Sequence, residues 1–110
     1  MIGDLALRKI AGRLQQGIRS IDSAARFGGE EFALLLYGIN LTEAREIAER
    51  LRRDIEQTPI ISEDIFINVT FSAGVAQLMA DETPQDFITA ADKAMYRAKN
   101  SGRNQVAVRQ

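Results

Sequence analysis

The sequence predicts an α+β domain, a mostly antiparallel sheet with helices packed on it. Three observations carry this. Apolar residues recur at helical spacing in three stretches, near 7–18, 44–55 and 87–98. Between two of them, residues 65–75 alternate with period two, the signature of a strand with one face in a core. Nearer the start, Gly28-Gly29 separates two short apolar runs, as in a tight hairpin. The order is α-β-β-α-β-α-β, strands and helices sharing one layered domain.

Each element has its own grounds. In the first helix Leu7, Ile10, Ala11, Leu14 and Ile18 make one apolar stripe, with Arg8, Lys9, Arg13 and Gln15 opposite. Two strands follow, about 21–27 and 31–37, joined through Gly28-Gly29, since favoured two-residue turns need φ > 0. A second helix spans about 42–57, striped by Ala44, Ile47, Ala48, Leu51 and Ile55 and capped by Asn40 or Thr42. In the alternating strand, Gly74 marks a bulge or a close backbone approach. The last helix has the clearest start: Thr83 as cap, Pro84 at its first position and Asp86 at its positive end. Its stripe is Phe87, Ala91, Ala94, Met95 and Ala98. Asn100-Ser101-Gly102 ends it, and 105–108 reads as a final short strand.

Composition narrows the chemistry. A chain of 110 residues with 45% hydrophobic content builds one domain, residues 1–110, with a real core. With 14 basic and 15 acidic residues the net charge is -1, which is not the footprint of a nucleic-acid-coating protein. No apolar run is long enough to span a bilayer, and no signal peptide is evident; the composition fits a cytoplasmic protein. Cysteine and histidine are both absent. Disulfides, thiolate metal sites, histidine bases and Ser-His triads are therefore excluded. Carboxylates, Lys/Arg and backbone amides remain, an inventory compatible with Mg²⁺-dependent phosphoryl chemistry.

The most informative stretch is Arg26-Phe27-Gly28-Gly29-Glu30-Glu31-Phe32. It sets a side-chain-free turn beside two carboxylates. Phosphates approach such a turn closely, and one carboxylate can hold the Mg²⁺ they bring, because Mg²⁺ keeps waters and takes few protein ligands. Taken alone, the stretch equally fits an ordinary hairpin with two solvated glutamates. Successive strand residues face opposite sides, so Glu30 and Glu31 should have different partners.

Four further patches stand in order along the chain: Gly3-Asp4 before the first helix, Arg19-Ser20-Ile21-Asp22 before the turn, residues 69–75, and Asp92 through Asn104. Together with the Gly-Gly-Glu-Glu-Phe stretch they resemble the GGDEF family, the diguanylate cyclases, in its GGEEF variant. The resemblance covers essentially the whole chain. It implies a nucleotide-cyclase or palm-like fold with a ferredoxin-like core.

The resemblance also implies roles. Glu30 matches the family's metal-binding acid, and Glu31 the next acidic position, often proposed to help activate the 3′-hydroxyl; these are the catalytic candidates. Gly28 and Gly29 match the turn against the GTP phosphates, Asp4 a guanine-reading acid, and Lys99 and Arg103 a pair contacting phosphates. Arg19 and Asp22 match the Arg-x-x-Asp product-inhibition site, where an arginine fork and an aspartate meet cyclic di-GMP. Against these stand plainer readings: Asp4 and Lys99 as charges suited to helix ends, Arg103 as solvated, Arg19 and Asp22 as a surface pair. Phe27, Phe32, Met95 and Tyr96 read as packing residues.

In the family, two GTP-loaded domains meet as a homodimer, each 3′-oxygen attacks the other GTP's α-phosphate, and pyrophosphate leaves, giving cyclic di-GMP with Mg²⁺ or Mn²⁺ as cofactor. A sensory or receiver domain commonly controls the parent protein. The family's first strand, its metal-binding aspartate and its Phe-Lys-x-x-Asn-Asp segment have no counterpart here. The resemblance thus implies an N-terminally truncated domain, about its C-terminal two-thirds. The expectation is unpaired strand edges, self-association or a rearranged sheet, and little turnover by this chain alone. The alternative functions are a non-catalytic cyclic di-GMP receptor module or an inactive fragment.

Overall fold

The computed structural model describes residues 3–28 and 31–110. Its elements run α1 (Asp4–Gln16), β1 (Ser23–Gly28), β2 (Glu31–Leu35), α2 (Leu41–Gln57), β3 (Ile60–Ser62), β4 (Ile65–Ile67), β5 (Ala73–Val75), α3 (Pro84–Asn100) and β6 (Val106–Val108).

The α+β class holds, with one refinement. Among the described residues the strands form three two-stranded sheets, β1-β2, β3-β4 and β5-β6, rather than one continuous sheet. The first two pairs are antiparallel, and β5-β6 is parallel. A parallel pair needs a crossover, and α3 supplies it, packing on both strands.

The alternating run 65–75 does not stay one strand. Its first part, β4, turns back on β3 through Glu63 and Asp64, both left-handed with φ 48° and 68°. Ser62 pairs with Ile65, so these two residues are the whole loop. Left-handed geometry at both central positions is what a type I′ turn requires. Glu-Asp is not the usual dipeptide for it, which is why β3 is not evident in the sequence.

The helices start where their caps dictate. Asn40 accepts from the Glu43 amide at 2.9 Å while the Glu43 carboxylate accepts from the Asn40 amide at 3.1 Å, a complete capping box. Thr83 and Asp86 repeat the arrangement at α3, with Pro84 at the first position. α1 ends at Gln16, two residues before the last residue of its stripe, capped by Gly17, whose amide donates to the carbonyls of Arg13 and Leu14. Ile18 packs against the core from outside the helix.

That core gathers Ala6, Ile10 and Leu14 from α1, Leu51 and Ile55 from α2, and Ile60 and Val69 from the strand side. Phe32 and Leu34 cover it from β2, whose residues alternate in burial as a half-buried strand should. Arg13 ties α1 to the end of α2, its guanidinium donating to the Pro59 carbonyl at 3.2 Å. Gly74 resolves in favour of close approach: a Cβ there would lie 2.1 Å from both the Ala91 carbonyl oxygen and the Met95 amide nitrogen. Two of the expected packing aromatics are instead exposed, Phe27 at 61% and Tyr96 at 65%.

Candidate functional site

The two strands flanking the Gly-Gly-Glu-Glu stretch pair as expected, but β1 reaches one residue further. Gly28 belongs to β1 and pairs with Glu31, so it is a strand residue and not a turn residue. Gly29 and Glu30, expected as phosphate turn and metal ligand, lie outside the described residues. The register shifts between Arg26 and Gly28, leaving Phe27 without a cross-strand partner. A bulge of this kind re-aims side chains and increases local twist, which accounts for the exposed Phe27 ring. Glu31 opens β2 on its exposed side, away from the face that carries Phe32 and Leu34 to the core.

Asp4 is the first residue of α1 and is exposed. Gly3 caps the helix with no side-chain bond, so the carboxylate is the only acid in that first turn and faces the positive end of the helix dipole. Lys99 lies in the last turn of α3 and Arg103 in the turn beyond it. Neither side chain has a hydrogen bond or ion pair among the described residues. Two cations at a helix end, uncommitted to protein partners, can meet an anion. α3 packs mainly on β5 and β6, whereas β1 packs on α1, so the cation pair and the hairpin sit in different packed units.

Arg19 and Asp22 are no loose surface pair. Arg19 Nε and Nη2 grip the two Asp22 oxygens at 3.1 and 3.0 Å, a bidentate fork. Asp22 also accepts the backbone amides of Arg19 and Tyr37, each at 3.0 Å. Arg19 Nη2 donates in turn to the Tyr37 carbonyl. The Asp22 side chain is 1% exposed and that of Arg19 48%. Asp22 is thus the buried anchor and Arg19 the accessible face of the pair. The Arg19 hydrogen bond holds the Asp22 carboxyl at about 2, opposed by burial and reinforced by the two backbone amides. Tyr37 was not foreseeable as a partner, because it acts through its backbone and no side-chain pattern announces that.

Among the described residues no three acidic groups converge to hold a metal ion. These residues alone therefore do not fit a multi-carboxylate site. Among the described residues no helix is long and apolar enough to cross a membrane.

Comparison with known proteins identifies the family and the fold. The family model described as diguanylate cyclase, GGDEF domain, matches residues 1–105. Diguanylate cyclase A of Treponema denticola is 38% identical over 107 residues, covering 96% of this chain and 29% of that protein. The crystal structure of the GGDEF domain of YfiN (TpbB) from Pseudomonas aeruginosa superposes with a TM-score of 0.90 at 31% identity, over 97% of this chain and 68% of that one. The GGDEF domain of DgcB from Caulobacter crescentus, solved in complex with cyclic di-GMP, gives a TM-score of 0.87 at 26% identity, over 93% and 61%. The chain spans between 16% and 30% of the length of the first curated relatives it matches.

Proposed function

The chain belongs to the GGDEF family of diguanylate cyclases, a nucleotidyltransferase family, and from that premise we propose that it is the part of a cyclase that binds GTP for condensation to cyclic di-GMP and binds the product at a second site. The observation that carries this reading is the family match over residues 1–105. Two cations at the end of α3, a half-buried Lys99 and an exposed Arg103, support it. Lys99 and Arg103 would bind the substrate's phosphates, where two charge-assisted contacts offset the repulsion of bringing GTP to a carboxylate-bearing hairpin. Asp4 would accept from a guanine edge. Gly28 and Gly29 would let the hairpin approach the phosphates, with Glu31 orienting the attacking hydroxyl and Glu30 as metal ligand.

The family is metal-dependent; Mg²⁺ is our reading, with Mn²⁺ able to replace it. When bound, such an ion neutralises phosphate charge. Each domain would hold one GTP, so condensation requires a second copy facing the first. A controlling sensory or receiver domain in the whole protein and a cytoplasmic location follow the same reading.

At the product site, Arg19 would present its guanidinium to guanine or phosphate while Asp22 fixes the fork. Burial of Asp22 and exposure of Arg19 favour this division of labour. Arg19→Ala should weaken cyclic di-GMP binding about tenfold or more, by loss of a charge-assisted contact, with titration calorimetry as the check. Unchanged affinity would remove Arg19 from the site.

The activity test is incubation with GTP and Mg²⁺, product read by mass, with Glu30→Ala alongside. Little or no cyclic di-GMP from this chain alone is the expected result; product that is lost in that variant would mean that this chain assembles a working site by itself. No product, together with saturable Arg19-dependent binding of cyclic di-GMP, would favour a receptor module. Neither product nor binding would leave the inactive fragment.

A further inference from the structure

Asn104 closes the last motif of the chain and has no role in the reading above. The residues around it are held in an unusual way. After α3, Gly102, Arg103 and Asn104 all have positive φ, at 115°, 62° and 49°. Glycine takes such a conformation freely and asparagine tolerates it, but for arginine it is strained. That strain must be met by the surroundings, and a non-glycine residue held this way is a reason to ask what it serves.

The surroundings are specific. Before Arg103, its own amide bonds the Ala98 carbonyl at 3.0 Å, the long bond of a Schellman cap. After it, the Asn104 amide donates to Ser72 Oγ at 3.1 Å. The Asn104 side chain then plugs into α2: its oxygen accepts from Arg52 Nη1 at 2.8 Å and its nitrogen donates to Glu56. Arg52 is itself fixed by Glu49 at 2.6 and 2.9 Å and is only 12% exposed. Arg103 is therefore held at its own amide by α3 and through the next residue, Asn104, by Ser72 and α2, while the residue itself is exposed.

We propose that Asn104, socketed between Arg52 and Glu56, is a positioning residue that aims Arg103 at the nucleotide phosphates. The proposal rests on the reading of Arg103 as a phosphate contact. Asn104 would not touch the nucleotide. Its contribution is to remove the freedom that an exposed arginine at a helix end otherwise has, so that less is lost when the phosphates bind.

A double-mutant cycle on the 110-residue chain separates this from a purely structural role. The probe is a GTP analogue with a methylene bridge between the α- and β-phosphates, in Mg²⁺, titrated calorimetrically. Arg103→Ala should weaken binding about tenfold or more, as loss of a charged hydrogen bond does. Asn104→Gly keeps the left-handed backbone but empties the socket, and should cost about fivefold. Together they should cost no more than Arg103→Ala alone. Losses that multiply, or an Asn104→Gly chain that binds like the parent, would overturn the proposal. If Arg103→Ala itself binds like the parent, or the parent binds no analogue, the phosphate reading fails and the proposal falls with it.

Polarity reversal gives an independent arm. Asn104→Asp sets a carboxylate against Glu56 and should weaken binding, and adding Glu56→Gln restores a donor opposite an acceptor and should recover most of it. No recovery in a double variant that still melts cooperatively would count against the socket.

Discussion

Gly74→Ala should lower Tm by about 12 °C, with about 3 kcal/mol lost. The reason is that the new methyl meets backbone, not a side chain that can swing away. It would lie 2.1 Å from the Ala91 carbonyl oxygen, 2.1 Å from the Met95 nitrogen and 2.8 Å from the Met95 Cα. Non-bonded carbon contacts are comfortable near 3.5–4.0 Å, so α3 would have to lift by about 1 Å or more. It cannot do so alone. Ala94 and Ala98 are 0% and 1% exposed on the same helix, and α3 links β5 to β6. Lifting it opens all three. Gly12→Ala is the control. It sits on an exposed turn of α1 with nothing within 4 Å of the added methyl, and helix propensity alone should stabilise by about 0.5–1 kcal/mol. Scanning calorimetry on the two variants reads the difference. A Gly74→Ala chain melting within a degree or two of the parent would mean that α3 does not press on β5 in solution.

What the sequence revealed depended on whether the signal was local. The caps at Asn40 and Thr83 are written in three or four adjacent residues, and both formed as capping boxes. The helical stripes named Leu14, Leu51, Ile55, Ala94 and Ala98, all of which are buried. The division of 65–75 into β4 and β5 was not legible, because period two is the same whether a run pairs as one strand or as two halves with different partners. Phe27 failed for a related reason. Alternation assigns it a face, and a bulge in its own strand, between Arg26 and Gly28, removes that assignment. The candidate site divides in the same way. Its residues are named by motif, but the division between a buried Asp22 and an exposed Arg19, and the socket that holds Asn104, are long-range contacts between segments 15 to 52 residues apart.

Asp22→Asn should destabilise the domain at neutral pH, and the deficit should vanish in acid. The Asp22 carboxylate accepts four hydrogen bonds, two from the Arg19 guanidinium and one each from the Arg19 and Tyr37 amides. An asparagine amide keeps the shape but replaces one acceptor oxygen by a donor and removes the charge. At least one of these N–H groups then faces another donor, which costs more than a missing bond in the open. The pH dependence follows from the carboxyl's shift from 3.8 to about 2 in the fold. A group whose folded value is depressed contributes its full stability above the unfolded value and loses it as pH falls through the folded one. The parent should therefore hold its advantage down to about pH 4 and lose it between about pH 4 and 2. Urea midpoints of parent and variant, measured from pH 7 to pH 2, should converge over that window. A gap that stayed constant to pH 2 would mean that the shape of the Arg19–Asp22–Tyr37 knot, and not the ionised carboxylate, holds the segment before β1 in place. It would also mean that Arg19 reaches its ligand without help from the charge beneath it.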